Sequence, residues 1–177
     1  MICVIGSSSE PWTELAESLG RMLASVGVHL LTGGGRGVME SVSRAFHDTS
    51  PRAGCVIGVI PGSVDPGFTY AAKTGYPNAY VEIVIRTHLP LSGEQGTDLM
   101  SRNHINVLSA DAVIALPGGP GTVSEAQLAV RYRKPILLFG PPEAFDAFPP
   151  GIERPDDLSR VTSVVTSWAG RSEPERQ

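Results

Sequence analysis

The feature that most restricts the fold is a glycine turn, Pro117-Gly118-Gly119-Pro120-Gly121, set between an apolar run and a helical pattern. The run before it, Ala112–Leu116, is short and continuously apolar, as expected of a strand buried on both faces. Thr122 to Tyr132 after it reads as a helix. A buried strand that passes within five residues into a helix is half of a βαβ unit. The rest of the chain keeps this alternation. Ile2–Ile5, Val28–Leu31, Cys55–Ile60, Tyr80–Ile85 and Ile136–Phe139 read as strands. Glu10 to Val26, Val38 to Phe46, Asp98 to Leu108 and Asp156 to Trp168 read as helices. Pro11 suits the first turn of the first helix and Gly27 closes it. Asp156 is the expected cap of the last helix, and Met100, Ile105 and Leu108 the apolar face of the helix from Asp98. Ser63 to Asn78 has little periodicity and is expected to be a long functional loop.

These elements predict an α/β fold: a single-domain, Rossmann-like, doubly wound and mainly parallel sheet with helices on both faces. The expected nucleotide-binding domain spans residues 1–168, with 169–177 a polar tail. Ligands of such sheets bind beyond the carboxyl ends of the strands, near the point where strand order reverses. The glycine turns would lie there.

Composition narrows the function classes. With 14 basic and 18 acidic residues the net charge is −4, and there is no long basic run, which argues against a dedicated nucleic-acid binder. No apolar stretch is long enough to cross a bilayer, and Met1 leads straight into a strand with no basic leader, so a cytoplasmic location is expected. Cys3 and Cys55 both fall in apolar runs and are expected to be buried thiols. His29, His47, His88 and His104 have no ligand spacing, so no metal or other cofactor is implied.

The turn before Thr122 has the makings of an anion site. Pro117, Gly118, Gly119 and Gly121 let a ligand approach the backbone, and the helix start offers free N–H groups at the positive end of its dipole. Thr122 adds a hydroxyl. A second turn, Gly33-Gly34-Gly35-Arg36-Gly37, follows the second strand and has similar chemistry. Gly6, Ser7, Ser8 and Ser9 after the first strand offer more donors, though serine turns often only cap helices. On pattern alone Glu125 is the partner of Thr122 in a capping box, and Arg102 is a surface arginine.

The sequence Pro117-Gly118-Gly119-Pro120-Gly121-Thr122-Val123-Ser124-Glu125 resembles the Pro-Gly-Gly-x-Gly-Thr-x-x-Glu signature of the lonely guy family. The resemblance runs from Ile2 to about Phe139. The wider superfamily includes cytokinin riboside 5′-monophosphate phosphoribohydrolases, molybdenum cofactor carrier proteins and the DNA-processing protein A fold. Met100-Ser101-Arg102-Asn103 is similar to the hydrolases' Met-x-x-Arg-Lys with the lysine absent, and Thr32 stands where the family's first turn glycine falls. Thr32-Gly33-Gly34-Gly35-Arg36-Gly37-Val38-Met39-Glu40 is similar to the carrier branch.

The resemblance implies a small phosphorylated nucleotide-like or pterin ligand. It makes Arg102 and Glu125 the catalytic pair of an N-glycosidic hydrolase acting on nucleoside monophosphates. Glu125 would face the ribose cation, and Arg102 would hold Glu125 ionised by lowering its pKa. No proton donor to the leaving base stands out; Asp98 and Glu94 are the nearest carboxylates in sequence. The alternative is a molybdenum cofactor carrier that binds without turnover, and single-stranded DNA binding is disfavoured by the charge. Family members are usually homodimers, so a homodimer is expected, with the helices around Asp98–Leu108 and Thr122–Tyr132 as its interface.

Overall fold

The computed structural model describes residues 1–170. Its main sheet has six parallel strands: β1 (Ile2–Ile5), β2 (Leu30–Thr32), β3 (Val56–Ile60), β6 (Ile83–Arg86), β7 (Ala112–Ala115) and β8 (Ile136–Leu138). Their order across the sheet is β6-β3-β2-β1-β7-β8. The chain thus builds outward from β1 through β2, β3 and β6, then returns to the other side of β1 for β7 and β8. The reversal lies between β1 and β7.

Period-two alternation assigns the strand side chains to two cores. Ile2 and Val4 of β1, with Ala112 and Ile114 of β7, join α1 (Thr13–Val26), α2 (Val38–His47) and α5 (Leu158–Gly170) on one face. Cys3 and Ile5, with Val113 and Ala115, join α3 (Asn103–Ser109) and α4 (Pro120–Arg131) on the other. Strands covered on both faces have no polar side to show, so they read as unbroken apolar runs.

Several boundaries differ from the sequence expectation, each for a local reason. The stretch from Ser63 to Asn78 is not a plain loop. It contains an antiparallel hairpin of β4 (Gly62–Val64) and β5 (Tyr70–Ala72), with Val64 opposite Tyr70. Both strands are three residues long and mostly exposed, too short for a periodic signal. Helix α3 begins at Asn103, not Asp98, so Met100 and Leu108 are about half exposed and form no apolar face. Helix α1 begins at Thr13, after Trp12 in a left-handed conformation, while Gly27 ends it as expected with φ 81°. Asp157, not Asp156, caps α5: its Oδ1 accepts the Arg160 amide at 2.8 Å. That helix runs through Gly170, two residues into the expected tail; residues 171–177 lie outside the described residues. Cys3 is buried in β1, but Cys55 precedes β3 and is partly exposed beside His29.

Candidate active site

The carboxyl ends of β1, β2, β3 and β7 converge on a cavity of about 470 Å³. Helix α4 enters it end-on. Gly119 is its N-cap in extended backbone and Pro120 its first residue, so Thr122 lies inside the first turn. The expected capping box is therefore absent, and no side chain caps this helix. Pro120 has no N–H. The Thr122 and Val123 amides turn back to Gly119 O at 2.9 and 3.1 Å. Among the described residues the Gly119 and Gly121 amides have no partner, and both residues lie on the cavity wall, which is the arrangement an anion needs.

The serine turn after β1 is more committed than its composition suggests. Ser7 Oγ accepts the amides of Ser9 and Glu10 at 3.2 and 2.9 Å. The Ser7 amide donates to Pro117 O at 3.0 Å, and Val38 donates to Ser7 O at 2.9 Å. Ser7 thus ties the turns after β1, β2 and β7 together. Ser8 and Ser9 line the cavity with hydroxyls.

In the turn after β2, Gly33 alone of its four glycines lines the cavity. The others shape the turn. Gly37 has φ 64° and ψ −129°, and a Cβ there would run into the backbone of Ser7 and Ser8. Gly34 and Gly35 lie against Ile60 and the Tyr76 ring. Pro117 and Gly118 are likewise outside the cavity wall, with Gly118 packed beneath Thr122.

Arg102 is not a surface residue. It is 6% exposed, and its Nη1 donates to Gly33 O at 2.8 Å and Val59 O at 2.5 Å. Its guanidinium lies 5.4 Å from the centroid of Tyr76. A Cβ on residue 33 would stand 2.6 Å from Nη1, so Gly33 is what lets the arginine lie on this turn. Arg102 Nε is buried, with no partner among the described residues.

Glu125 reaches the same cavity from α4, yet its partner is Asn106, whose Nδ2 donates to Oε1 at 2.8 Å. Arg102 forms no ion pair with it among the described residues. Burial pushes the Glu125 carboxyl above the usual carboxylate range, outweighing the Asn106 hydrogen bond and the Arg102 charge. Arg102 acts in the expected direction, but it is drawn away to two strand-end carbonyls, so desolvation prevails and the net shift is upward rather than downward.

Sequence reasoning missed several residues of this cavity. Asn103 lines it and donates to Ser124 Oγ at 3.0 Å, which itself donates to Gly121 O at 2.7 Å. Asn103 and Asn106 follow Arg102 on one short helix and are both buried. Two asparagines three apart inside an apolar helical pattern were the available signal. Lys73 and Tyr76 come from the chain after the hairpin, and Ser92, Gly93 and Glu94 from a 3₁₀ turn (Gly93–Gln95). Glu94 lines the cavity and Asp98 does not. Among the described residues no cluster of His, Cys, Asp and Glu is fit to hold a metal, and no helix is long and apolar enough to cross a membrane.

The model of the SLOG cluster4 family matches residues 1–164. The chain belongs to the SLOG cluster4 family. Among curated relatives, the SLOG chain is 35% identical over 159 residues to the cytokinin riboside 5′-monophosphate phosphoribohydrolase LOG of Oryza sativa subsp. japonica. That alignment takes in 83% of this chain but 57% of the rice protein, so the chain spans little more than half the length of that relative. Two solved structures share the SLOG fold nearly end to end. One is the molybdenum cofactor carrier protein of Chlamydomonas reinhardtii, at TM-score 0.69 and 28% identity, covering 96% of this chain and 97% of that one. The other is the molybdenum cofactor binding protein of Rippkaea orientalis, at TM-score 0.71 and 30% identity, covering 94% of each.

Proposed function

We propose that this protein is a nucleoside 5′-monophosphate phosphoribohydrolase, which cleaves the N-glycosidic bond to give free base and ribose 5-phosphate. The observation that carries the reading is the pairing of an open helix N-terminus with a half-buried carboxyl, held by Asn106, in one cavity. The phosphate would lie on the Gly119 and Gly121 amides and the Thr122 hydroxyl. Cleavage builds positive charge on the ribose, water adds at C1′, and the base leaves with a proton. A carboxylate that burial makes costly in the empty site gains most when a cation forms beside it, which is differential stabilisation of the transition state. Arg102 lines the same cavity while its Nη1 stays on the turn, so its charge lies beside the ligand. The curated relatives of the SLOG chain support the same chemistry.

A second reading is a carrier of a phosphorylated pterin, favoured by the near-complete coverage of the molybdenum cofactor proteins. The test is incubation with a mixture of nucleoside monophosphates, followed by chromatography for free base. Base release is expected. No release from any monophosphate, with tight binding of a phosphorylated pterin, would favour the carrier.

The protein is also proposed to be a homodimer in the cytoplasm. Leu99, Met100, Leu108 and Val130 are exposed apolar side chains on the segments that flank the cavity, and both cysteines are unpaired, as a reducing compartment requires. Light scattering at micromolar concentration is expected to give twice the chain mass; a monomer mass would refute the dimer.

A further inference from the structure

The cavity has two zones that attract anions, and a single phosphate fills only one of them. The first lies over β1 and β7, where the Gly119 and Gly121 amides and the serine hydroxyls gather. It is built from dipoles and holds no cation. The second lies over β2 and β3. Arg102 is fixed there by Gly33 O and Val59 O, at the ends of those strands. Lys73 lines the cavity from the same side: its amide donates at 3.0 Å to Pro61 O, immediately past β3. These are the two cationic side chains of the cavity wall. The centres of the two zones are two strand spacings apart, about 10 Å.

Among the described residues no ion pair engages either cation, and Glu125, in the same cavity, meets Arg102 only through its field. The Lys73 ammonium has no partner among the described residues, and Arg102 Nε is buried without one. The guanidinium lies against the Tyr76 ring, which packs on Gly35. The segment that carries Lys73 and Tyr76 is held at one end by the Lys73 amide on Pro61 O and at the other by Asn78, whose amide donates to Gly34 O and whose Nδ2 donates to Gly35 O, each at 2.8 Å. A largely buried guanidinium that lines the cavity beside a second, exposed cation is a receptor for a charged acceptor.

We propose that the ligand carries a second anionic group, remote from its 5′-phosphate, which binds between Arg102 and Lys73 over β2 and β3. The substrate class is then a nucleotide with a second phosphate, such as a nucleoside 3′,5′-bisphosphate. This deepens the nucleotide reading of the site and rests on it.

The test is calorimetric titration of the full chain with adenosine 5′-monophosphate and adenosine 3′,5′-bisphosphate, on wild-type Lys73, Lys73→Ala and Lys73→Arg, each carrying Glu125→Gln so that the nucleotide is bound and not cleaved. The quantity read is the ratio of the two affinities. One charge-assisted contact predicts that wild type prefers the bisphosphate by about tenfold. Lys73→Ala should bring the ratio close to one, and Lys73→Arg should restore it. Lys73 is exposed and holds no other residue by its side chain, so both variants are expected to fold. Equal wild-type affinities, with the monophosphate bound, overturn the second zone and leave the nucleotide reading standing. A preference that survives Lys73→Ala overturns the role of the lysine. Failure of both nucleotides to bind overturns this inference together with the reading beneath it.

Discussion

Glu125→Gln is expected to lower kcat by roughly 10²–10³ while the variant still binds a nucleoside monophosphate. Glutamine keeps the oxygen that accepts the Asn106 amide and removes only the charge. The loss should therefore appear in turnover and not in KM. Burial raises the carboxyl's pKa, so the acid limb of the wild-type rate profile should lie above the ordinary glutamate range. Stability should move the other way. A carboxyl whose pKa is raised by folding disfavours the folded state once pH exceeds its unfolded value. The cost grows with pH and is complete above the raised pKa. Glu125→Gln has no such cost. Its melting temperature at about pH 8 should match or exceed that of wild type, and the gap should close as pH falls to about 4. Equal kcat in the two proteins would dismiss Glu125 from the chemistry.

Gly37→Ala is expected to be the most damaging small substitution in the cavity's framework. At φ 64° and ψ −129° an L-residue is strained by about 1–3 kcal/mol before any contact is considered. The new methyl would also stand 2.8 Å from Ser8 C and collide with Ser7 O. Those are backbone atoms, so no rotamer relieves the overlap. A total of about 3 kcal/mol or more corresponds to a fall of roughly 6–12 °C in Tm for a domain of this size. Because Ser7 also holds the Pro117 carbonyl, the phosphate turn should loosen as well, and affinity for inorganic phosphate should drop with stability. Thermal unfolding read by circular dichroism checks the first effect, and calorimetry the second. A variant that melts with wild type would show that the turn can relax.

What the sequence shows of this molecule follows from which forces act locally. The parallel strands are legible because burial on both faces leaves unbroken apolar runs such as Ala112–Ala115. The turn before α4 is legible because only glycine and proline suit it. Arg102 is a harder case. Its burial depends on Gly33 and Val59, 69 and 43 residues away, and no local pattern records such a partner. The capping box fails for the same kind of reason. Thr122 and Glu125 have the right spacing, but Pro120 starts the helix two residues earlier, and Asn106 on another helix takes the carboxylate. Lys73 and Tyr76 escaped notice because they follow two strands of three residues, whose pairing is set by tertiary position.

Ser7 has an amide, a carbonyl and a hydroxyl, and each is already bonded: to Pro117, to Val38, and to the amides of Ser9 and Glu10. A knot of this kind leaves the end of the cavity where we propose that the phosphate binds with almost no ordering entropy to lose when an anion arrives. It behaves as a preorganised receptor whose affinity is set by dipoles alone. Adaptation to the remainder of a ligand then falls to the hairpin segment and the Ser92–Glu94 turn, neither of which is bonded to Ser7. The two ends can therefore change independently: exchanging those segments would retune which molecules are accepted, while the Ser7 knot and the helix start beside it stayed as they are.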